Sequence, residues 1–348
     1  MGRRCVWLAL PAAVALTAAC GAGGSDDGTI TLSVADWLPP QHVAVIEGTQ
    51  PWMDRVTELT DGQVTFDYYP SEQLGAAADL LQLTRSGVAD IAMINAPYTP
   101  ELLQLSSVGG LPGLTETACE SSWGFYAASR PGSAIYEHEY KEVGLHPLLP
   151  QGTPAYELMT TDRPVSHPDD ASGLTLAVSG GAISSVAEAL GSAPVSMGTP
   201  SRYEGLQRGT VNGTLLGMST VMTYSLEEVI DYSTAGASLG GSVAPYAMSI
   251  DTWDSLPADV QDAFTQASEE SIERYCQAMD EQTTAGREAM EQAGVTIHDL
   301  SDDEKGEFAE ATAQTREAWI TEELPEEKRE YGEKVIEEYL EGAERLGP

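Results

Sequence analysis

The sequence predicts an α/β protein made of two hinged lobes, with mixed sheets and long C-terminal helices. Three observations carry this. A strand–helix–strand pattern opens the chain and returns after His146, which is the grammar of parallel α/β units. From Pro257 the pattern is helical almost to the end. Finally, 348 residues with 42% apolar content are enough for two domains with cores of their own.

T-I-T-L-S-V-A-D, from Thr29, alternates apolar and polar positions and reads as a strand. After W-L-P-P, the run from His42 has apolar residues at helical spacing and stops at Asp61-Gly62. Q-V-T-F-D-Y-Y is a second strand. L-G-A-A-A-D-L-L-Q-L-T-R-S is a helix with Gly87 past its end, and V-A-D-I-A-M-I is a buried strand. In the second unit H-P-L-L-P-Q and Y-E-L-M-T-T are strand-like. T-L-A-V, Ala182 to Leu190 and A-P-V-S-M then give strand, helix, strand. Ser201 to Arg208 starts a helix, V-N-G-T-L-L-G is a strand or tight turn, and Ser238 to Ile250 is again strand-like. Helices over 257–293 and 301–320 flank the short strand V-T-I-H, and Pro325 precedes a last amphipathic helix. The expected division is a signal peptide at 1–19, a tether at 20–28, domain I at 29–153 and 242–281, domain II at 154–241 and 282–324, and an acidic C-terminal helix at 325–348.

Two arginines, an apolar run and small residues lead up to Cys20, the layout of a secretory signal. It resembles a bacterial lipoprotein signal, in which the Cys is lipid-modified and becomes the first mature residue. Thr17 stands three residues before Cys20, where the usual pattern has Leu, and Leu16 stands four before. The expectation is an extracytoplasmic chain held to the outer face of a bacterial membrane by its lipid alone. The formal charge of −37 repels nucleic acid and anionic headgroups, which excludes both as partners. Residues 251–348 hold 28 Asp/Glu against 8 Lys/Arg, which reads as solvated helix faces. Cys119 and Cys276 remain after the signal, and either a disulfide or two buried thiols fits them. The histidines are scattered without metal spacing, and surface roles are expected for His138, His146 and His167. No metal and no cofactor is expected.

G-L-T-L-A-V-S-G-G-A-I-S-S, from Gly173, turns a strand through glycines into a helix, yet lacks the spacing and Lys of a phosphate loop. D-G-Q-V-T-F-D-Y-Y-P-S-E-Q-L-G (Asp61–Gly75) resembles the T-G-G-R-V-x-V-x-x-x-P-x-x-Q-L-G signature of the DctP-type solute receptors of TRAP transporters. L-Q-L-T-R-S-G-V-A-D-I-A-M, S-I-D-T-W-D-S-L-P and Y-E-G-L-Q-R-G-T-V-N-G are similar to further family motifs in the right order, over residues 29–320. The resemblance implies a periplasmic-binding-protein-like fold, a small organic ligand held between the lobes, and delivery to TRAP membrane subunits. In the family an Arg on the strand matching G-L-T-L-A-V grips the ligand carboxylate; here that position is Ala177. The family's second Arg matches Tyr156, its Asn matches Leu216, and Thr199 stands where an aromatic is common.

These departures lead to the expectation of a neutral, weakly polar or cationic ligand rather than a standard carboxylate. Candidate contacts are Asp36, Trp37, Asn95, Tyr98, Tyr156, Ala177, Ser179, Thr199, Leu216 and Tyr224. Asp36 would pair an amine and Trp37 would offer a cation–π face. Gly180 and Gly181 would let backbone N–H groups approach the ligand. The alternative is that Arg202 supplies the missing charge from the adjacent turn. Three other functions compete, one of them a lipid-tethered module that binds protein only. The receptor of an ATP-driven importer shares the hinged plan, and a surface hydrolase would need a nucleophile motif such as G-x-S-x-G, which does not occur.

Overall fold

The structure, a computed structural model, describes residues 28–344; the expected signal peptide, Cys20 and most of the tether lie outside the described residues. In chain order the strands are β1 (Ile30–Ala35), β2 (Val64–Tyr69), β3 (Ile91–Met93), β4 (Leu145–Gly152), β5 (Glu157–Thr160) and β6 (Thr175–Val178). They continue as β7 (Ala193–Ser196), β8 (Gly213–Leu216), β9 (Tyr232–Ala235), β10 (Val243–Ser249) and β11 (Thr296–Asp299). They form two sheets, ordered β2-β1-β3-β10-β4 and β11-β9-β5-β8-β6-β7.

The first sheet belongs to lobe I. β1 lies parallel to β2 and β3, and β10 runs antiparallel between β3 and β4. Alternation along β1 sends Leu32 and Val34 into a core with Trp52, Tyr246 and Phe264. In lobe II, β6 lies parallel to β7 and β8, and β5 is antiparallel to β8 and β9. Helix Ala118–Ser129 is an element that periodicity does not signal. Its small residues are buried on several faces, so no apolar stripe stands out. A capping box starts it: Thr117 Oγ1 accepts the Glu120 N–H, and the Glu120 carboxylate accepts the Thr117 N–H.

The chain crosses between the lobes at paired points. The segment after β4 and the one before β10 bind each other: Thr153 N–H donates to Ser242 O at 2.9 Å and Tyr156 N–H to Gly240 O at 2.7 Å. Helix Ala258–Ala293 then spans both lobes, with Val260, Phe264 and Tyr275 in the lobe I core and Met290 in that of lobe II. It ends at Gly294, whose φ of 94° is the left-handed cap that glycine adopts without steric cost. Cys276 of this helix forms a disulfide with Cys119, which resolves the choice left open by the sequence.

Fully buried Trp319 packs in the lobe I core and donates its indole N–H to Ser107 Oγ at 2.8 Å. Helix Arg329–Glu344 then buries Val335, Ile336 and Tyr339 in the same core, while its acidic face stays in solvent. The expectation for His146 needs correction: it is not a surface residue. It lies in β4, where the extended backbone suits the following Pro147, and its ring stacks on Trp253 at 3.9 Å. Burial holds its pKa down at about 4.

Candidate functional site

A cavity of about 50 Å³ lies between the lobes, at the ends of the strands. From lobe I it is walled by Trp37 after β1, His42, Asn95 after β3, and Gln151 in β4. From lobe II come Tyr156, Ser179 after β6, Thr199, Leu216 at the end of β8, and Tyr224. Tyr275 and Met279 of the long helix close one side. Strand ends facing a crevice are where α/β folds place ligands. A wider groove of about 830 Å³ runs along the long helix past Glu47, Glu270 and Arg274. It is open to solvent, and Arg274 is already paired with Glu47 at 2.7 Å. The interlobe cavity is therefore the stronger candidate.

The main electrostatic feature beside the cavity is Arg202, at the start of helix Arg202–Gln207 and fully buried. Its Nη1 donates to Thr214 Oγ1 and to Leu215 O, both at 2.9 Å, and its Nη2 to Ser179 Oγ at 2.9 Å. Its Nε has no partner among the described residues. Among the described residues no carboxylate lies within ion-pair distance of this guanidinium. Burial lowers its pKa, while Tyr156, Tyr98 and Tyr224 act in the opposite sense. A buried cation held only by neutral groups is costly unless an anion completes it.

The sequence-predicted residues divide in two. Trp37, Asn95, Tyr156, Ser179, Thr199, Leu216 and Tyr224 are in the cavity wall. Asp36 is not: its carboxylate accepts from Tyr68 Oη and the Leu38 N–H, both at 2.8 Å, and from Tyr246 Oη. Desolvation raises its pKa against those hydrogen bonds, and both oxygens already accept within its own lobe. Ala177 is enclosed in β6, where its carbonyl accepts from Thr214 Oγ1 at 3.0 Å. Tyr98 stands between the lobes, edge-on to Trp37 at 5.8 Å, and its Oη accepts the Thr199 N–H at 3.4 Å. Gly180 and Gly181 also stand where the lobes meet. A Cβ on Gly180, at φ +109°, would stand 2.9 Å from the Pro97 carbonyl oxygen of the other lobe.

His42 and Gln151 carry no sequence signal for a site, because nothing local to either points across a cleft. His42 Nδ1 accepts the Ala44 N–H at 3.0 Å, which leaves the ring proton on Nε2. Burial pushes its pKa down to about 4, so it faces the cavity neutral. Gln151 Nε2 donates to Ala44 O at 3.1 Å. Among the described residues no cluster of His, Cys, Asp and Glu has the arrangement to hold a metal ion.

Comparison with known proteins agrees with this geometry. The family model for bacterial extracellular solute-binding protein, family 7 (DctP) matches residues 35–322. The C4-dicarboxylate-binding periplasmic protein DctP of Rhodobacter capsulatus is 26% identical over 284 residues, 78% of each chain. The ectoine/5-hydroxyectoine-binding periplasmic protein UehA of Ruegeria pomeroyi is 26% identical over 278 residues, 78% of this chain and 80% of that one. Among solved structures, a TRAP periplasmic solute-binding protein from Bordetella bronchiseptica with bound mandelate superposes with a TM-score of 0.81 at 23% identity, covering 91% of this chain and 100% of that one. The hinged α/β lobes, the interlobe cavity and the match over most of the sequence agree, and the chain belongs to the DctP family of extracytoplasmic solute-binding proteins of TRAP transporters.

Proposed function

We propose that this receptor captures a small organic monocarboxylate between its lobes, with the ligand's carboxylate neutralising Arg202. The carrying observation is the fully buried guanidinium with no carboxylate beside it among the described residues. This reading replaces the sequence expectation of a neutral or cationic ligand. The charge absent at Ala177 enters from the next turn, and Asp36 is already occupied by its own lobe. No Lys or Arg is among the residues lining the cavity, so one guanidinium favours one carboxylate over two. The names of two relatives record carboxylate ligands, a C4-dicarboxylate and mandelate.

The mechanism is capture without chemistry. Ligand contacts both lobes, so binding favours the closed arrangement in which Tyr98 meets Thr199 and Gly180 meets Pro97. The closed receptor is then handed to the membrane subunits, with Cys20 as the lipid anchor that keeps it near them. The cavity of about 50 Å³ holds only a few waters, whereas a cavity of roughly 150 Å³ admits benzene, so a ring-bearing ligand must hold the lobes further apart. A thermal-shift screen of monocarboxylates, dicarboxylates, amines and alcohols tests the reading. Stabilisation confined to monocarboxylates supports it, and stabilisation by amines or alcohols alone overturns it.

A further inference from the structure

The cavity wall contains more unmet hydrogen-bonding capacity than a carboxylate alone can use. Trp37 Nε1 and Tyr224 Oη, both buried, have no partner, and each can donate to a ligand oxygen. Gln151 differs in kind. It is 2% exposed and lines the cavity, and its Oε1 accepts from nothing among the described residues. Its amide cannot be reversed at no cost, because the Ala44 carbonyl at 3.1 Å needs a donor and therefore takes Nε2. Nε2 also lies 3.1 Å from Thr49 Oγ1, which fixes the amide plane a second time. A carboxylate brings only acceptors, so it satisfies Trp37, Tyr224 and Arg202 and leaves Gln151 Oε1 unpaired. An unpaired buried acceptor costs enough that sites built around one discriminate strongly for a ligand that supplies the donor.

We infer that the ligand carries a hydroxyl as well as a carboxylate, and that Gln151 Oε1 accepts that hydroxyl and so selects hydroxy acids over their unsubstituted analogues. This rests on the carboxylate reading above and adds the polar group at the other end of the ligand. Gln151 is thereby a specificity-determining residue, separate from the charge that provides capture.

Titration calorimetry with matched pairs tests it: lactate against propionate, 3-hydroxybutyrate against butyrate, mandelate against phenylacetate, and 3-hydroxybenzoate against benzoate. In the wild-type receptor at least one hydroxy acid binds about tenfold or more tightly than its partner. In Gln151→Met that ratio falls to near one, and a general loss of affinity would not by itself move a ratio. Equal binding within every pair by the wild type overturns the inference while leaving the carboxylate reading standing. So does a preference that persists in Gln151→Met. Binding of none of these acids overturns both.

Discussion

Arg202 donates from Nη2 to the hydroxyl of Ser179 at 2.9 Å, which joins the first turn of helix Arg202–Gln207 to the residue just after β6. The resemblance implies a guanidinium at the strand position of Ala177; here a guanidinium reaches the end of that strand from a different element. Ser179 orients the cation and also stands in the cavity wall. In Ser179→Ala one N–H is released and the guanidinium gains freedom. Affinity for a monocarboxylate is expected to fall several-fold by calorimetry, as one hydrogen bond of about 1 kcal/mol is lost from the preorganised site.

The disulfide between Cys119 and Cys276 closes a loop of 157 residues and ties helix Ala118–Ser129 to the long interlobe helix. Cys119→Ala with Cys276→Ala is expected to destabilise the protein by about 2–5 kcal/mol. Urea denaturation of the wild type with and without reductant should reproduce the difference.

His42 and His146 are both held near pKa 4 by burial, below the ordinary value of 6.5. Their folded pKa values are depressed, so each contributes stability that is present above about pH 6.5 and is lost as pH falls towards 4. For His42 this amounts to about 3 kcal/mol across the window. Glu139 opposes them. Its buried carboxyl is raised to about 7, so its contribution is present below about pH 4.5 and is lost as pH rises through 7. In His42→Asn, which keeps an acceptor for the Ala44 N–H, the melting temperature should fall less steeply between pH 6.5 and 4 than in the wild type.

Gly180→Ala tests lobe closure. The added methyl meets the Pro97 carbonyl oxygen only when the lobes are together, and alanine is strained at φ +109° in either state. Ligand affinity is expected to fall about tenfold. Small-angle scattering should show the liganded variant more extended than the liganded wild type. Compaction equal to that of the wild type would remove the Gly180–Pro97 contact from the account of closure.

Much of the fold was legible because it rests on local pattern. The alternation of β1, the glycine after helix Leu80–Arg85 and the helical spacing after Pro257 each follow from short stretches, and the structure realises them. β9 and helix Ala118–Ser129 were not legible. The residues that β9 buries are polar, Ser233 and Thr234, and a helix buried on several faces shows no stripe. The cavity was legible where a residue lies within two positions of a strand end, as Trp37, Asn95 and Ser179 do. His42, Gln151, Tyr275 and Met279 come from three separate elements that meet only after folding, so no motif links them. Asp36 shows the converse limit. Its place after β1 suggested a ligand contact, and Tyr68 and Tyr246, distant in sequence, both donate to its Oδ2.

The central claim is that Arg202 holds the ligand's carboxylate. Isothermal titration of the wild type and Arg202→Met with the monocarboxylate that stabilises the receptor most tests it directly. The account predicts at least a hundredfold loss of affinity in the variant, as expected when a charge-assisted pair of about 3 kcal/mol is removed. It also predicts little loss of stability without ligand, because the desolvation cost of the buried charge disappears with it. Undiminished carboxylate binding by Arg202→Met would contradict it.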